Sequence, residues 1–139
     1  MKYVFAFALF LFSCTNDNKS SESVKAFPKP GTVVASAEMP VAGDNLNNFV
    51  FSVKVIADSS VTSGVYDVDA DFGPNLAVGE FTMPKGGEHF KPLIRIGSEP
   101  NTFIIGFRMP GDTAFNDYFE VSSNHAQTKM RYIKAYSLE

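Results

Sequence analysis

Val65-Tyr66-Asp67-Val68-Asp69-Ala70-Asp71-Phe72 decides the fold of this chain. Tyr66, Val68, Ala70 and Phe72 take the even positions, and Asp67, Asp69 and Asp71 the odd ones. Successive side chains of an extended strand point to opposite faces, so the octet has one apolar face and one acidic face. That alternation is the signature of a half-buried strand.

The same period recurs on both sides of the octet. Upstream, residues 48–57 place Phe49, Phe51, Val53 and Val55 two apart. Downstream, residues 102–109 do so with Phe103, Ile105, Phe107 and Met109, and residues 115–121 with Phe115, Phe119 and Val121. Phe90, Ile94 and Ile96 form a further set, and residues 128–138 set Met130, Tyr132 and Tyr136 against Arg131 and Ser137. In residues 76–83, Leu76 and Val78 point one way and Phe81 and Met83 the other, which predicts a bulge at Gly79.

Between the runs lie Asp58-Ser59-Ser60, Gly73-Pro74-Asn75, Pro84-Lys85-Gly86-Gly87, Gly97-Ser98-Glu99-Pro100-Asn101, Pro110-Gly111-Asp112 and Ser122-Ser123-Asn124. Each holds a residue that accepts positive φ, fixes φ, or bonds its own backbone. Strands at a spacing of roughly 8–13 residues argue for an all-β, antiparallel β-sandwich of about eight strands. The layout looks like a small jelly roll. An immunoglobulin-like sandwich is the alternative, and a lipocalin-type barrel comes third. The chain has 139 residues, 45% of them hydrophobic and 14% aromatic, which suits one packed domain. A net charge of -3 gives no electrostatic case for nucleic acid as a partner.

The amino terminus reads differently. Met1-Lys2 precedes an unbroken apolar run from Tyr3 to Phe12, then Ser13-Cys14. One positive residue before about ten apolar ones is signal-peptide geometry, too short to span a bilayer. Leu11-Phe12-Ser13-Cys14 resembles the lipobox of bacterial lipoproteins: an aliphatic residue three before the cysteine, a small one directly before it, and the cysteine itself. Phe12 is bulkier than the usual occupant of its place. The resemblance implies cleavage after residue 13, acyl chains on Cys14, and partnership with a membrane through that lipid. Thr15, where a retained lipoprotein carries Asp, implies the outer membrane, at its periplasmic or cell-surface face. The organisation expected is therefore a signal peptide at 1–13, lipidated Cys14 and a polar tether over 14–31, and the sandwich over 32–139. Cys14 is the one cysteine, so the chain cannot form an internal disulfide.

Few residues carry chemistry. Asp67, Asp69 and Asp71 offer hard oxygen ligands in the manner of a calcium loop. Phe72 stands where an EF-hand needs Gly, and Val78 where it needs Glu, while the same spacing also makes the solvent face of a strand. That row of like charges calls for a nearby lysine or arginine. No cofactor is expected beyond calcium at this place. His89 and His125 fall in turns, and with Cys14 assigned to lipid no zinc-ligand set remains. No serine sits in a Gly-x-Ser-x-Gly elbow, and no lysine followed by Ser or Thr comes after Gly86-Gly87, so the chain is expected to be non-catalytic.

The expected ligand is a polysaccharide. If Ile94, Phe107 and Phe119 face the core, then Arg95, Gly106, Arg108, Asn116, Tyr118 and Glu120 face out. Arg95, Arg108, Asn116 and Tyr118 on one sheet face would bond sugar hydroxyls and stack on a sugar ring, and Gly106 would leave it room. The general layout resembles carbohydrate-binding jelly rolls of surface lipoproteins. The alternatives are a structural or protein-partner subunit of an envelope complex and, behind it, an enzyme or enzyme inhibitor.

Overall fold

The computed structural model describes residues 26–125 and 127–138. The leader, Cys14 and most of the tether lie outside the described residues. Eight strands follow in chain order: β1 (Val33–Pro40), β2 (Val50–Ala57), β3 (Val65–Phe72), β4 (Asn75–Thr82), β5 (Leu93–Ile96), β6 (Thr102–Phe107), β7 (Asn116–Ser123) and β8 (Thr128–Tyr132). The one helical piece among them is a 3-10 turn at Val61–Ser63, opened by the Asp58 carboxylate accepting from the Ser60 N–H at 2.7 Å.

The strands form two antiparallel sheets of four, ordered β1-β2-β3-β4 and β5-β6-β7-β8. Core rings bridge the sheets: Phe51 lies 5.1 Å from Phe103, and Phe81 stacks on Phe119 at 5.3 Å. The all-β sandwich is the class the alternation predicts. Its connectivity is simpler than a jelly roll, whose two Greek keys carry long crossovers. Here each sheet is a meander, because tight turns hold chain neighbours side by side. Gly73-Pro74 is the shortest: Phe72 pairs with Asn75, Gly73 takes φ 58°, and proline fixes a negative φ after it. Positive then negative φ is the type II′ pattern, which matches strand twist.

Only residues 83–92 change sheet. β4 is an edge strand beside β8, where the Thr82 N–H donates to the Tyr132 hydroxyl oxygen at 2.9 Å, and β5 is an edge strand beside β1. The chain must therefore cross the full width of the sandwich. The crossover closes one end with Phe90 stacked on Phe107 at 5.4 Å, and residues 133–138 fold under the same end with the Tyr136 hydroxyl donating to the Asp117 carbonyl at 2.8 Å. Phe27 packs there too, so the folded unit reaches back into the segment read as tether.

β3 behaves as its sequence dictates: Tyr66, Val68, Ala70 and Phe72 are buried, and its pairing with β2 and β4 is unbroken. The bulge expected at Gly79 is absent. Leu76, Val78 and Glu80 simply face out, and Gly79 faces in, where the Met130 side chain of β8 occupies the space a Cβ would need. The bulges are elsewhere, at Val34 in β1 and at Tyr118 in β7.

Candidate functional site

The β7 bulge rearranges the expected sugar face. Phe119 pairs with Ile105 but Asp117 pairs with Gly106, so Tyr118 is the extra residue. A one-residue insertion reverses the facing of everything before it. Tyr118 turns inward instead of outward, is 8% exposed, and donates its hydroxyl to the Thr82 carbonyl at 2.8 Å. Burial first, and then the neighbouring Tyr132, push its phenol above the ordinary tyrosine range. Phe115, expected in the core, covers Gly106 on the outer face instead.

The other three residues are placed as follows. Arg95 faces out, but its Nε donates to Asp117 at 3.0 Å in a two-pronged ion pair, with the guanidinium 5.5 Å from the Phe115 ring centre. Asn116 stands opposite Phe107 and donates its amide to the Phe107 carbonyl at 3.3 Å. Arg108 is exposed just past the end of β6. The fold thus does not bring the four together as a sugar platform.

Asp67, Asp69 and Asp71 lie in a row along the outer face of β3, and Lys54 of β2 stands directly opposite Asp69. Residues two apart on a strand are separated by about 6–7 Å, so three such carboxylates do not converge on one calcium ion. Among the described residues, no group of three or more His, Cys, Asp or Glu side chains is arranged to hold a metal. His89 and His125 are in loops, 5.0 Å from Phe27 and 5.2 Å from Phe72 respectively.

The best-formed cleft lies at the crossover end. It has a volume of about 520 Å³, within the roughly 300–1,000 Å³ of small-molecule sites. The Phe27-Pro28 segment, the start of β1 at Val33 and Val34, Tyr66 of β3 and crossover residues 88–92 line it. Its aromatic rim is Phe27 tilted against His89 at 5.0 Å. Tyr66 stacks on Phe81 at 5.7 Å, is 3% exposed and lines the cleft. Burial pushes that phenol up as well, so it is a neutral donor and acceptor at physiological pH. Glu88 is held below the usual carboxylate range by its own backbone N–H and by that of Gly86, which donates to Oε1 at 3.2 Å. Lys91 adds a cation.

Local sequence explains how the cleft wall is built. Gly86 takes φ 86°, and a Cβ there would stand 2.6 Å from the Leu138 carbonyl oxygen, so the carboxyl-terminal segment can press against the loop only because residue 86 is glycine. Sequence reasoning missed this site. Two signals point to it: an aromatic, Phe27, inside an otherwise polar stretch, and Phe90 three residues after Gly87 of a glycine-rich turn.

Among the described residues no helix is long and apolar enough to cross a membrane. No protein family matches this chain, and no curated protein or solved structure is found to match it.

Proposed function

We propose that this chain is a lipid-anchored, non-catalytic binding module of the outer membrane that takes a carbohydrate ligand in the cleft at the crossover end. One observation carries the ligand reading: a cleft of small-molecule size lined by Tyr66, Glu88 and Lys91, with the Phe27–His89 ring pair at its rim. Sugars present an apolar ring face and a fringe of hydroxyls. A ring pair stacks on the first, and Tyr66, Glu88 and Lys91 bond the second. The lipobox-like Leu11-Phe12-Ser13-Cys14 supports the anchor. Cys14 to Ala26 spans up to about 40 Å when extended, enough chain to hold the cleft clear of the bilayer surface.

The test is retention of the protein on a panel of plant and algal polysaccharides. Tyr66→Phe and Phe27→Ala each weaken retention about tenfold, the worth of one hydrogen bond or one stacking contact, and leave the fold intact. Wild-type protein that binds none of the panel, or binding unchanged in both variants, refutes the sugar reading. Cys14→Ser moves the protein to the soluble fraction; continued membrane association refutes the anchor.

A protein-partner role is the second reading. It is favoured by Leu46, 91% exposed in the β1–β2 loop at the opposite end, with Phe49 and Val50 exposed nearby in sequence. Lone exposed apolar residues are ordinary, whereas a contiguous apolar patch marks a contact surface.

A further inference from the structure

The sandwich has four edge strands, and three of them are protected against pairing with another chain. β1 carries the Val34 bulge and ends in Pro40. β5 has only four residues, between Pro92 and Gly97. β8 carries Lys129 and Arg131. Bulges, prolines, shortness and cationic side chains are the usual means of blocking strand addition. β4 has none of them: eight residues, unbroken register, and a single charge at Glu80. Its outward side chains Leu76 and Val78 are 63% and 71% exposed. A groove of about 380 Å³, lined in part by Val78, Glu80, Met130 and Arg131, runs between this strand and β8.

The backbone shows which groups are free. The two-residue turn closes on the Phe72–Asn75 pair, so Asn75, Ala77, Gly79 and Phe81 exchange hydrogen bonds with β3. Leu76, Val78, Glu80 and Thr82 turn theirs to the edge. Thr82 fits this assignment, since its carbonyl accepts from the Tyr118 hydroxyl and its N–H bonds the Tyr132 oxygen. The N–H and C=O groups of Leu76, Val78 and Glu80 are left facing outward, since among the described residues β3 is the one strand paired with β4 in its sheet.

We infer that β4 is the docking edge for a second copy of this chain, pairing antiparallel with its own counterpart about a two-fold axis through Val78. In that register Val78 faces Val78 of the other copy, and Leu76 faces Glu80. Every outward N–H and C=O of the three residues then has a partner, each copy supplying what the other lacks. No two carboxylates are opposed, and the alkyl part of Glu80 covers Leu76. The result is one continuous sheet across the dimer, formed independently of the cleft at the crossover end.

Disulfide trapping of the full chain tests the register. Hydrogen-bonded antiparallel pairs have Cα atoms about 5.5 Å apart, inside the range of about 4.4–6.8 Å that a disulfide accepts. Val78→Cys is expected to form a covalent homodimer on mild oxidation, with wild type as the control for Cys14. Leu76→Cys mixed with Glu80→Cys forms a heterodimer, and neither does so alone. Ser36→Cys, exposed on β1, is the reference for random collision. Sedimentation of wild type against Val78→Lys supplies a second readout, since two cations face each other at the axis and raise the dimer dissociation constant about tenfold or more. Trapping of Val78→Cys no faster than Ser36→Cys, or trapping to a different protein, overturns the proposal; so does a wild type that sediments as a monomer at every concentration.

Discussion

The two sheets have the same number of strands in the same meander order, yet they are built on different rules. In the first, β2, β3 and β4 pair without interruption, so sequence parity equals facing over the whole of β3: Asp67, Asp69 and Asp71 stay outside while Tyr66, Val68, Ala70 and Phe72 go in. In the second, β6 is buried along its whole length and β7 is bulged at Tyr118. Parity there holds from Phe119 onward and reverses before it. A strand with one wet face advertises its orientation through its polar residues. A strand covered on both faces, such as Thr102–Phe107, has no polar row to read.

The sharpest way to break this comparison is to add one methyl to an interior strand position of each sheet. At Gly106 a Cβ would overlap the Asn116 carbonyl oxygen and the Phe115 ring. Backbone cannot step aside without undoing the β6–β7 pairing, so Gly106→Ala is expected to cost about 3 kcal/mol, at the upper end of overpacking penalties. At Gly79 a Cβ would overlap the Met130 sulfur, the far part of a flexible side chain. Gly79→Ala is expected to cost about 1 kcal/mol or less, because methionine re-packs and alanine loses less backbone entropy than glycine on folding. Urea denaturation of both variants decides it. Equal losses would mean that the bulged sheet is no less tolerant than the regular one.

Much of the fold was legible for the same reason. Six of the strands sit where period-two runs stand in the sequence, and the turns between them carry the residues that permit them. β1 is the exception in kind: Ala35, Ala37 and Met39 are small or flexible, and the run is interrupted by the bulge at Val34. The site was far less legible. Phe27, Tyr66 and His89 come from three separated segments that meet only because residues 83–92 must cross the sandwich. Nothing local to any of them encodes that crossing. Arg95 and Tyr118 misled because a bulge is invisible in alternation until both Tyr118 and Phe119 are known to be buried.

Tyr118→Phe gives an intermediate effect. It removes the hydrogen bond to the Thr82 carbonyl and is expected to lower stability at pH 7 by about 1 kcal/mol. The sign of its pH dependence is opposite. The folded state raises the Tyr118 pKa, so it holds its proton where the unfolded chain, near pH 10, has begun to lose one. That stabilising contribution is complete below about pH 10 and disappears as pH rises through the folded value. The phenylalanine variant lacks this titration. Its stability should therefore fall less steeply than that of wild type between about pH 9.5 and 11, a slope that denaturation at several pH values measures. Parallel slopes would place the Tyr118 hydroxyl in water, contrary to an inward bulge.

The smallest effects are expected on the two outer faces, and they sharpen the contrast most finely. Arg95 and Asp117 are 42% and 39% exposed at the side chain, so water screens their ion pair despite its two-pronged geometry. Arg95→Ala is expected to cost about 0.5–1 kcal/mol, part of it from uncovering the Phe115 ring that shields Gly106. Asp69→Asn, on the opposite sheet, removes one charge from a row of three and keeps the side chain's shape, so stability is expected to change by less than about 0.5 kcal/mol in either direction. Added salt separates the two further. It should narrow the gap between wild type and Arg95→Ala, because the pair is screened, and leave the packing part on Phe115 intact. If the gap closes completely at about 1 M salt, the guanidinium acts by charge alone. If a remainder persists, the outer face of the second sheet is a packed layer in its own right, which is why both faces of β6 are closed to solvent and to a sugar.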